Sequence, residues 1–381
     1  MDSMGTGPAF GGPDGGEPWH EEPAAPETAF AFEGNWRDFA KIAFTNLLLT
    51  IVTLGIYRFW ATTRERQYLW SRTRFIDDHL EWTGRGKELF FGFLLATVLI
   101  ILPFALINMI TQGLIFRGNE GVAAGVFIAS FLVLFYFSGV ARFRALRYRL
   151  GRTHWRGIRG GSYDQGFKYG LSHMWKYTVG YLALGLMVPW AMVSLWNERW
   201  SAMSFGQLSF RSEADFSPLM KRYLLVYLAP FVLFIAMFAL LAAVTFGFGG
   251  MENENTALGI TVAALTVILM VGVYAGWGIV YLAFYAKYMR IVIGEMKLGE
   301  NIEFGFHAST KDWLKLIAVD IGLVLVTLGV GYIFLTYRHW KFFITHLEAY
   351  GEVDPDALTQ SETPMSKHGE GLLDAFDMGA I

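Results

Sequence analysis

Hydrophobic positions in this chain run together in long stretches, without the three- or two-residue alternation of water-facing elements. Four stretches, Leu89–Ile110, Val122–Val140, Tyr223–Phe246 and Ile260–Phe284, contain no charged residue. Each reaches or approaches the roughly 20 residues needed to cross a bilayer core. Three more are apolar but interrupted. Ile42–Trp60 carries Gly55 and Arg58, Tyr177–Trp196 carries Gly185 and Pro189, and Leu316–Leu335 carries Asp320, Gly329 and Gly331. Trp60, Trp70, Trp82, Trp175, Trp196, Trp200, Trp313 and Trp340 crowd the ends of these segments, where an interfacial aromatic belt is expected. The pattern predicts an all-α polytopic membrane protein.

The interrupted segments resemble one another. A shift of 274 positions superposes Val52-Thr53-Leu54-Gly55 on Val326-Thr327-Leu328-Gly329, and Asn46 on Asp320. A shift of 130 places Leu54-Gly55 on Leu184-Gly185 and Trp60-Ala61 on Trp190-Ala191. With A for a broken element and B for a pair of clean helices, the chain reads A–B–A–B–A. Internal repeats of this sort occur in transporter folds and are equally compatible with a scaffold.

Charge then bears on topology. Of 381 residues, 54% are hydrophobic and 17% charged, against about 25% charged in soluble domains. The formal net charge of −2 conceals an acidic–basic–acidic order: seven acids and no Lys or Arg in 1–35, seven acids and one Lys in 351–381. Those two tails are expected to be disordered, because they cannot bury enough apolar area to offset ordering entropy, and to flank a membrane domain at 36–350. Basic residues gather beside the A elements, and the B tips at 111–121 and 247–259 contain only Arg117 between them. Lys and Arg stay on the cytoplasmic side. Four spans plus three re-entrant A elements therefore place every basic loop, and both tails, inside, whereas seven spans divide the basic loops between two faces. The first arrangement is favoured and the second stays open. The breaks Gly55, Gly185, Pro189, Gly329 and Gly331 suit a reversal of the chain.

The run Asn46-Leu-Leu-Leu-Thr-Ile-Val-Thr-Leu-Gly-Ile-Tyr-Arg-Phe-Trp-Ala61 closely resembles the signature of the YjgN family of bacterial inner-membrane proteins. Phe59 stands where that family usually has proline; Pro189-Trp190-Ala191 keeps it. The likeness is specific over 30–84 and diffuse to about 350. It implies an inner-membrane location and brings no known activity.

Candidate chemistry is sparse. An intramembrane carboxylate such as Asp320 is a functional-site hypothesis by default. With its repeat partner Asn46, with Arg58, and with the hydroxyls of Thr53 and Thr327, it forms the expected substrate- or ion-coupling set. A hydrogen bond between helices is the plainer use of Asp320, and snorkelling the plainer use of Arg58. Arg142, Arg144, Arg147, Arg149 and Arg152 follow a clean span, and such clusters attract anionic lipid at about 1 kcal/mol per residue. Lipid is the expected partner, with a homo-oligomer or membrane-protein partner also open, and nucleic acid is not expected. Zero cysteines exclude thiolate chemistry. The absence of Gly-x-Ser-x-Gly, His-Glu-x-x-His and phosphate-loop patterns argues against an enzyme, and no cofactor or metal is expected. The expected function is transport or permeation of a small solute or lipid-like molecule. The alternative is a non-transporting envelope scaffold that binds anionic lipid or partner proteins.

Overall fold

The structure, a computed structural model, describes residues 29–247, 256–351 and 358–365. Among the described residues, four helices are long and apolar enough to cross a membrane: Gly86–Phe116, Glu120–Arg152, Ser217–Ala243 and Ala263–Gly294. They coincide with the four uninterrupted apolar runs. The chain is a helical polytopic membrane protein, as its hydropathy predicts.

The helices stand on a feature that the hydropathy does not announce. Ten short strands form one antiparallel meander in sequence order: β1 (Phe30–Phe32), β2 (Thr73–Phe75), β3 (Asp78–Trp82), β4 (Thr153–Trp155), β5 (Ile158–Gly161), β6 (Ser204–Phe205), β7 (Leu208–Ser212), β8 (Met296–Leu298), β9 (Ile302–Phe306) and β10 (Leu347–Tyr350). Four neighbouring pairs are joined by tight turns. At Arg156-Gly157 both residues take positive φ (50° and 75°), as a type I′ hairpin turn requires. The other five neighbouring pairs are joined by helical hairpins. β1 and β2 flank α1 (Trp36–Val52) and α2 (Arg58–Ser71), with Phe32 opposite Thr73. β3 and β4 flank the first spanning pair, α3 (Gly86–Ala96), a π-helical turn, α4 (Leu102–Phe116) and α5 (Glu120–Arg152). β5 and β6 flank α6 (Phe167–Leu182) and α7 (Val188–Ser201). β7 and β8 flank the second spanning pair, α8 (Met220–Gly247) and α9 (Thr256–Gly294). β9 and β10 flank α10 (Thr310–Val326) and α11 (Leu335–His346).

An antiparallel meander alternates direction at every strand. All five helical hairpins therefore rise from one rim of the strand crown, and all four tight turns lie on the other. Each A element begins and ends on the same rim, so a chain that crosses once at each A, as seven spans require, does not fit these ladders. The edge strands β1 and β10 approach within 8 Å between Cα atoms. Their seam is closed by side chains: Tyr337 Oη donates to Gly34 O (2.8 Å), and Trp340 stacks on Trp70 at 4.0 Å while its Nε1 donates to Thr73 Oγ1 (2.9 Å). Trp70 Nε1 in turn donates to Thr153 Oγ1 (2.9 Å), tying α2 to β4.

Two expectations change here. Phe30–Phe32 is the first crown strand, and residues 358–365 lie along the crown, where Gln360 Nε2 donates to Gly157 O (2.7 Å) and Arg159 Nη1 to Thr363 Oγ1 (3.3 Å). Residues 29–35 and 358–365 are thus part of the ordered structure. An edge strand needs little apolar area of its own once a neighbour supplies the ladder. The rest of the expected disorder, at 1–28, 352–357 and 366–381, lies outside the described residues, as does the B tip holding Glu252 and Glu254. The tryptophans also divide. Trp70, Trp82 and Trp196 are buried in the two hydrophobic clusters that join the helix feet to the strands, and so do not form part of a lipid-facing belt.

Candidate functional site

The helices α2, α5, α7, α9 and α11 each run directly into a strand, and their last turns converge inside the crown. Between them lies a cavity of about 660 Å³, within the range of ligand pockets. Strand residues such as Phe75, Trp155 and Phe304 form its base, and the helix feet its sides. Along α11 its wall runs from Leu335 to Phe343, about 12 Å at the helical rise.

The lining is mainly aromatic and aliphatic, with Arg66, Arg149, Arg199 and His339 as its basic side chains and neither Asp nor Glu. Arg66 lies over the Trp82 ring (5.1 Å) and Arg199 over Trp196 (5.4 Å). Such stacking supports a weakly hydrated guanidinium beside apolar walls. Among the described residues, no carboxylate forms an ion pair with Arg199. The chamber is walled mainly by apolar side chains, with basic groups and no carboxylate in its lining.

The expected coupling set lies beside the chamber rather than in its wall. Asn46, Lys176 and Asp320 each stand eight residues before the leucine of a Leu-Gly reversal, and they are 3%, 9% and 6% exposed. Each bonds across its own hairpin. Asn46 Nδ2 donates to Glu65 Oε1 (3.1 Å), and Arg64 Nη1 donates to Asn46 Oδ1 (3.4 Å). Lys176 Nζ donates to Glu198 Oε2 (2.7 Å). Asp320 accepts from Arg338 Nε (2.5 Å), and His339 Nε2 lies 2.7 Å from its other oxygen. The shift of 274 carries Asn46–Arg64 onto Asp320–Arg338 and Glu65 onto His339. All three hairpins thus carry a buried polar clasp at one level, with a different charge arrangement in each. His339 belongs both to the third clasp and to the chamber wall, which connects Asp320 to the chamber at one remove.

Thr53 and Thr327 fasten the reversals. Thr53 Oγ1 donates to Leu49 O (2.7 Å) and accepts from Tyr57 N (2.9 Å); Thr327 Oγ1 donates to Leu323 O and accepts from Gly331 N, both at 2.6 Å. Gly331 sits so tightly that an added Cβ would meet Leu323 O at 2.8 Å. Pro189 falls in the first turn of α7, where its missing N–H costs nothing. Gly55, Gly185 and Gly329 take φ of +91°, +81° and +94° at the reversals. Arg58 is exposed beyond the first reversal, with its guanidinium 5.9 Å from the Phe59 ring.

The arginine run does not form one lipid-facing surface. Arg142 Nη1 is 3.3 Å from His173 Nε2, Arg144 Nε donates to Gln165 O (3.1 Å), and Arg152 pairs with Glu88 (3.1 Å). Arg149 lines the chamber, and Arg147 is buried, donating to Pro364 O (3.5 Å). Arg147 therefore departs from the expected headgroup contact: the foot of α5 extends past the spanning stretch into the crown, where its side chains face protein. The chamber residues Arg66, Arg199 and His339 are not among the expected site residues. The available signal was aromatic: Trp70, Trp196, Trp200 and Trp340 all line the chamber and all lie on the returning arms of A hairpins.

Comparison with known proteins follows the same outline. A family profile described as a bacterial protein of unknown function (DUF898) matches residues 27–375. The inner membrane protein YjgN of Escherichia coli O157:H7 is 29% identical over 134 residues, covering 35% of this chain and 31% of that protein. The inner membrane protein YjgN of Salmonella typhimurium is 25% identical over 146 residues, covering 38% and 33%. The matched region thus spans about a third of each of these relatives. No solved structure matches the chain.

Proposed function

We propose, from the premise that this chain belongs to the DUF898 family, the family of the YjgN inner-membrane proteins, that it binds a single-chain anionic amphiphile and passes it between the bilayer and the crown. The observation that carries this reading is a chamber of about 660 Å³ with aromatic and aliphatic walls, in which Arg199 stacks on Trp196 and, among the described residues, pairs with no carboxylate. A hydrocarbon tail finds apolar walls, and an anionic head finds guanidinium groups that stack on indole rings. Neutral solutes would gain nothing from the charges, and inorganic anions nothing from the walls. The basic loops beside the crown favour a cytoplasmic position for it.

Purified protein in nanodiscs, titrated with dansyl-undecanoic acid, tests the reading. Saturable binding near one equivalent is expected, displaced by oleate and not by oleyl alcohol. A hydrogen bond to a charged group contributes about 1.5–3 kcal/mol, so Arg199→Gln should weaken binding roughly 10- to 100-fold. Leu146→Trp, which fills the chamber, should abolish it. Equal displacement by the alcohol and the acid, or unchanged affinity in both variants, would refute the proposal. Proteoliposomes loaded with a labelled fatty acid then show whether binding leads to movement.

A further inference from the structure

The three A hairpins end in the same unusual apex. Leu54, Leu184 and Leu328 take left-handed φ of 51°, 53° and 49°, each followed by a left-handed glycine. This conformation brings Cβ against the backbone and is ordinarily left to Gly, Asn or Asp. In water, a polar residue there would relieve the clash and solvate the turn. Instead the apex leucines are 93%, 76% and 93% exposed. Ile51, Val52 and Ile56 beside the first, Leu182 and Leu186 beside the second, and Leu325, Val326 and Val330 beside the third also face outward.

The backbone at the first and third apices is closed on itself. Leu54, Gly55 and Ile56 donate to Ile51 O, Thr50 O and Thr53 O; Leu328, Gly329 and Val330 donate to Leu325 O, Val324 O and Thr327 O. In the second apex, Leu186 and Val188 donate to Ala183 O and Gly185 O. Gly185 O is reached by Tyr223 Oη (2.6 Å), from the first turn of the spanning helix α8. Local satisfaction of backbone groups is a requirement of hydrocarbon and not of water. The apices rise from the same rim as the spanning pairs, and the second is level with the start of a membrane span.

We infer that Leu54, Leu184 and Leu328 are three hydrocarbon anchors, inserted among the acyl chains of the crown-side leaflet, which hold the crown against the membrane. Their occupant is lipid and not a protein partner, because the apolar surface recurs at three separate apices around the ring and continues onto the exposed faces of the spanning helices. Arg58, the charged residue nearest an apex, is exposed and long enough to return to the headgroups. The inference stands apart from the proposed ligand, since it concerns the outer surface of the hairpins.

The chain has no cysteine, so single cysteines can be placed at 54, 184 and 328 and spin-labelled in liposomes of phosphatidylethanolamine and phosphatidylglycerol. Each label should relax strongly with oxygen and weakly with nickel ethylenediaminediacetate, matching a label at the lipid-facing Val133. A label at Glu300, on the turn rim, should show the reverse. A second measurement covers perturbation by the label. The triple variant Leu54→Asn, Leu184→Asn, Leu328→Asn relieves left-handed strain, so it should raise the melting temperature if the apices are in water and lower it if they are in hydrocarbon. Nickel accessibility at the Glu300 level at the apices, or a raised melting temperature, would overturn the inference.

Discussion

Replacing Asp320 separates a clasp from a coupling site. Its carboxylate is nearly closed to solvent and accepts from Arg338 at 2.5 Å with His339 at 2.7 Å. Removing one partner of a fully buried pair costs about 3–5 kcal/mol, because the other is left uncompensated. Here Arg338 is 29% and His339 50% exposed, so both can recover water, and the cost of Asp320→Ala falls to about 1.5–2.5 kcal/mol. In a chain of this size that lowers the melting temperature by roughly 3–6 °C. Asp320→Asn keeps an acceptor for Arg338, and the first hairpin already uses Asn46 toward Arg64 in this way. Its cost should be below about 1 kcal/mol. Thermal melts in nanodiscs, with Arg338→Met and the double variant completing a cycle, measure the pair term directly. Flux of the dansyl amphiphile is recorded on the same preparations. If Asp320→Asn leaves the melt unchanged but stops flux while binding persists, the clasp account is refuted and Asp320 is a coupling carboxylate.

The reversals and the crown give further tests. Gly329→Ala meets no atom within 4 Å, so its cost is conformational, about 1 kcal/mol. Gly331→Ala drives a methyl against Leu323 O at 2.8 Å and should cost about 1–3 kcal/mol. A melt that ranks the two equally would show that the third reversal is looser than this geometry. His154, on β4, is held below its usual pKa of 6.5, chiefly by burial. The unfolded chain then takes up the proton first, so this contribution is full above about pH 6.5 and is lost as pH falls toward the folded value. Melts of the wild type should decline from pH 7 to pH 5 more steeply than those of His154→Gln. Parallel profiles would remove the residue from the acid response.

Hydropathy identified the four spans because an uncharged run of that length has few other uses, and the Leu-Gly pairs identified the reversals because left-handed backbone has a sequence signature. The crown left a weaker trace. Its strands are two to five residues long, and five of its nine ladders join segments separated by a helical hairpin, as at Trp82 opposite Thr153 and Ser212 opposite Met296. No local period marks such pairing. A turn signal recurs after an aromatic, at Phe75, Trp155 and Phe205, and reads as a hairpin only when those positions are compared with one another. The arginines failed for another reason. Composition reports that Arg147 and Arg149 are charged, but whether they face lipid, the chamber or the segment 358–365 depends on how far α5 continues past the apolar stretch. Asp320 was visible as an anomaly in sequence, while its partners Arg338 and His339 required the fold of the returning arm.

Because one crown carries every helical pair, the lengths of the hairpins decide what each can reach. The helix Gly86–Phe116 has 31 residues, about 46 Å at the α-helical rise. That suffices to leave the crown and cross a hydrocarbon core of about 30 Å. The outgoing arm Trp36–Val52 has 17 residues, about 26 Å, and its lower turns are already committed to the crown, where Phe39 is buried against Tyr337. The outgoing arm Phe167–Leu182 has 16 residues, about 24 Å, and Thr310–Val326 has 17. None of the three can reach the far headgroups from that base. Lengthening an A arm by two helical turns would carry its clasp about 11 Å deeper, exchanging a partly hydrated Arg338 or Glu198 for one in dry hydrocarbon. The short arms and the polar clasps are therefore one constraint: a buried ion pair is tolerable in these hairpins because they stop where its partner can still find water.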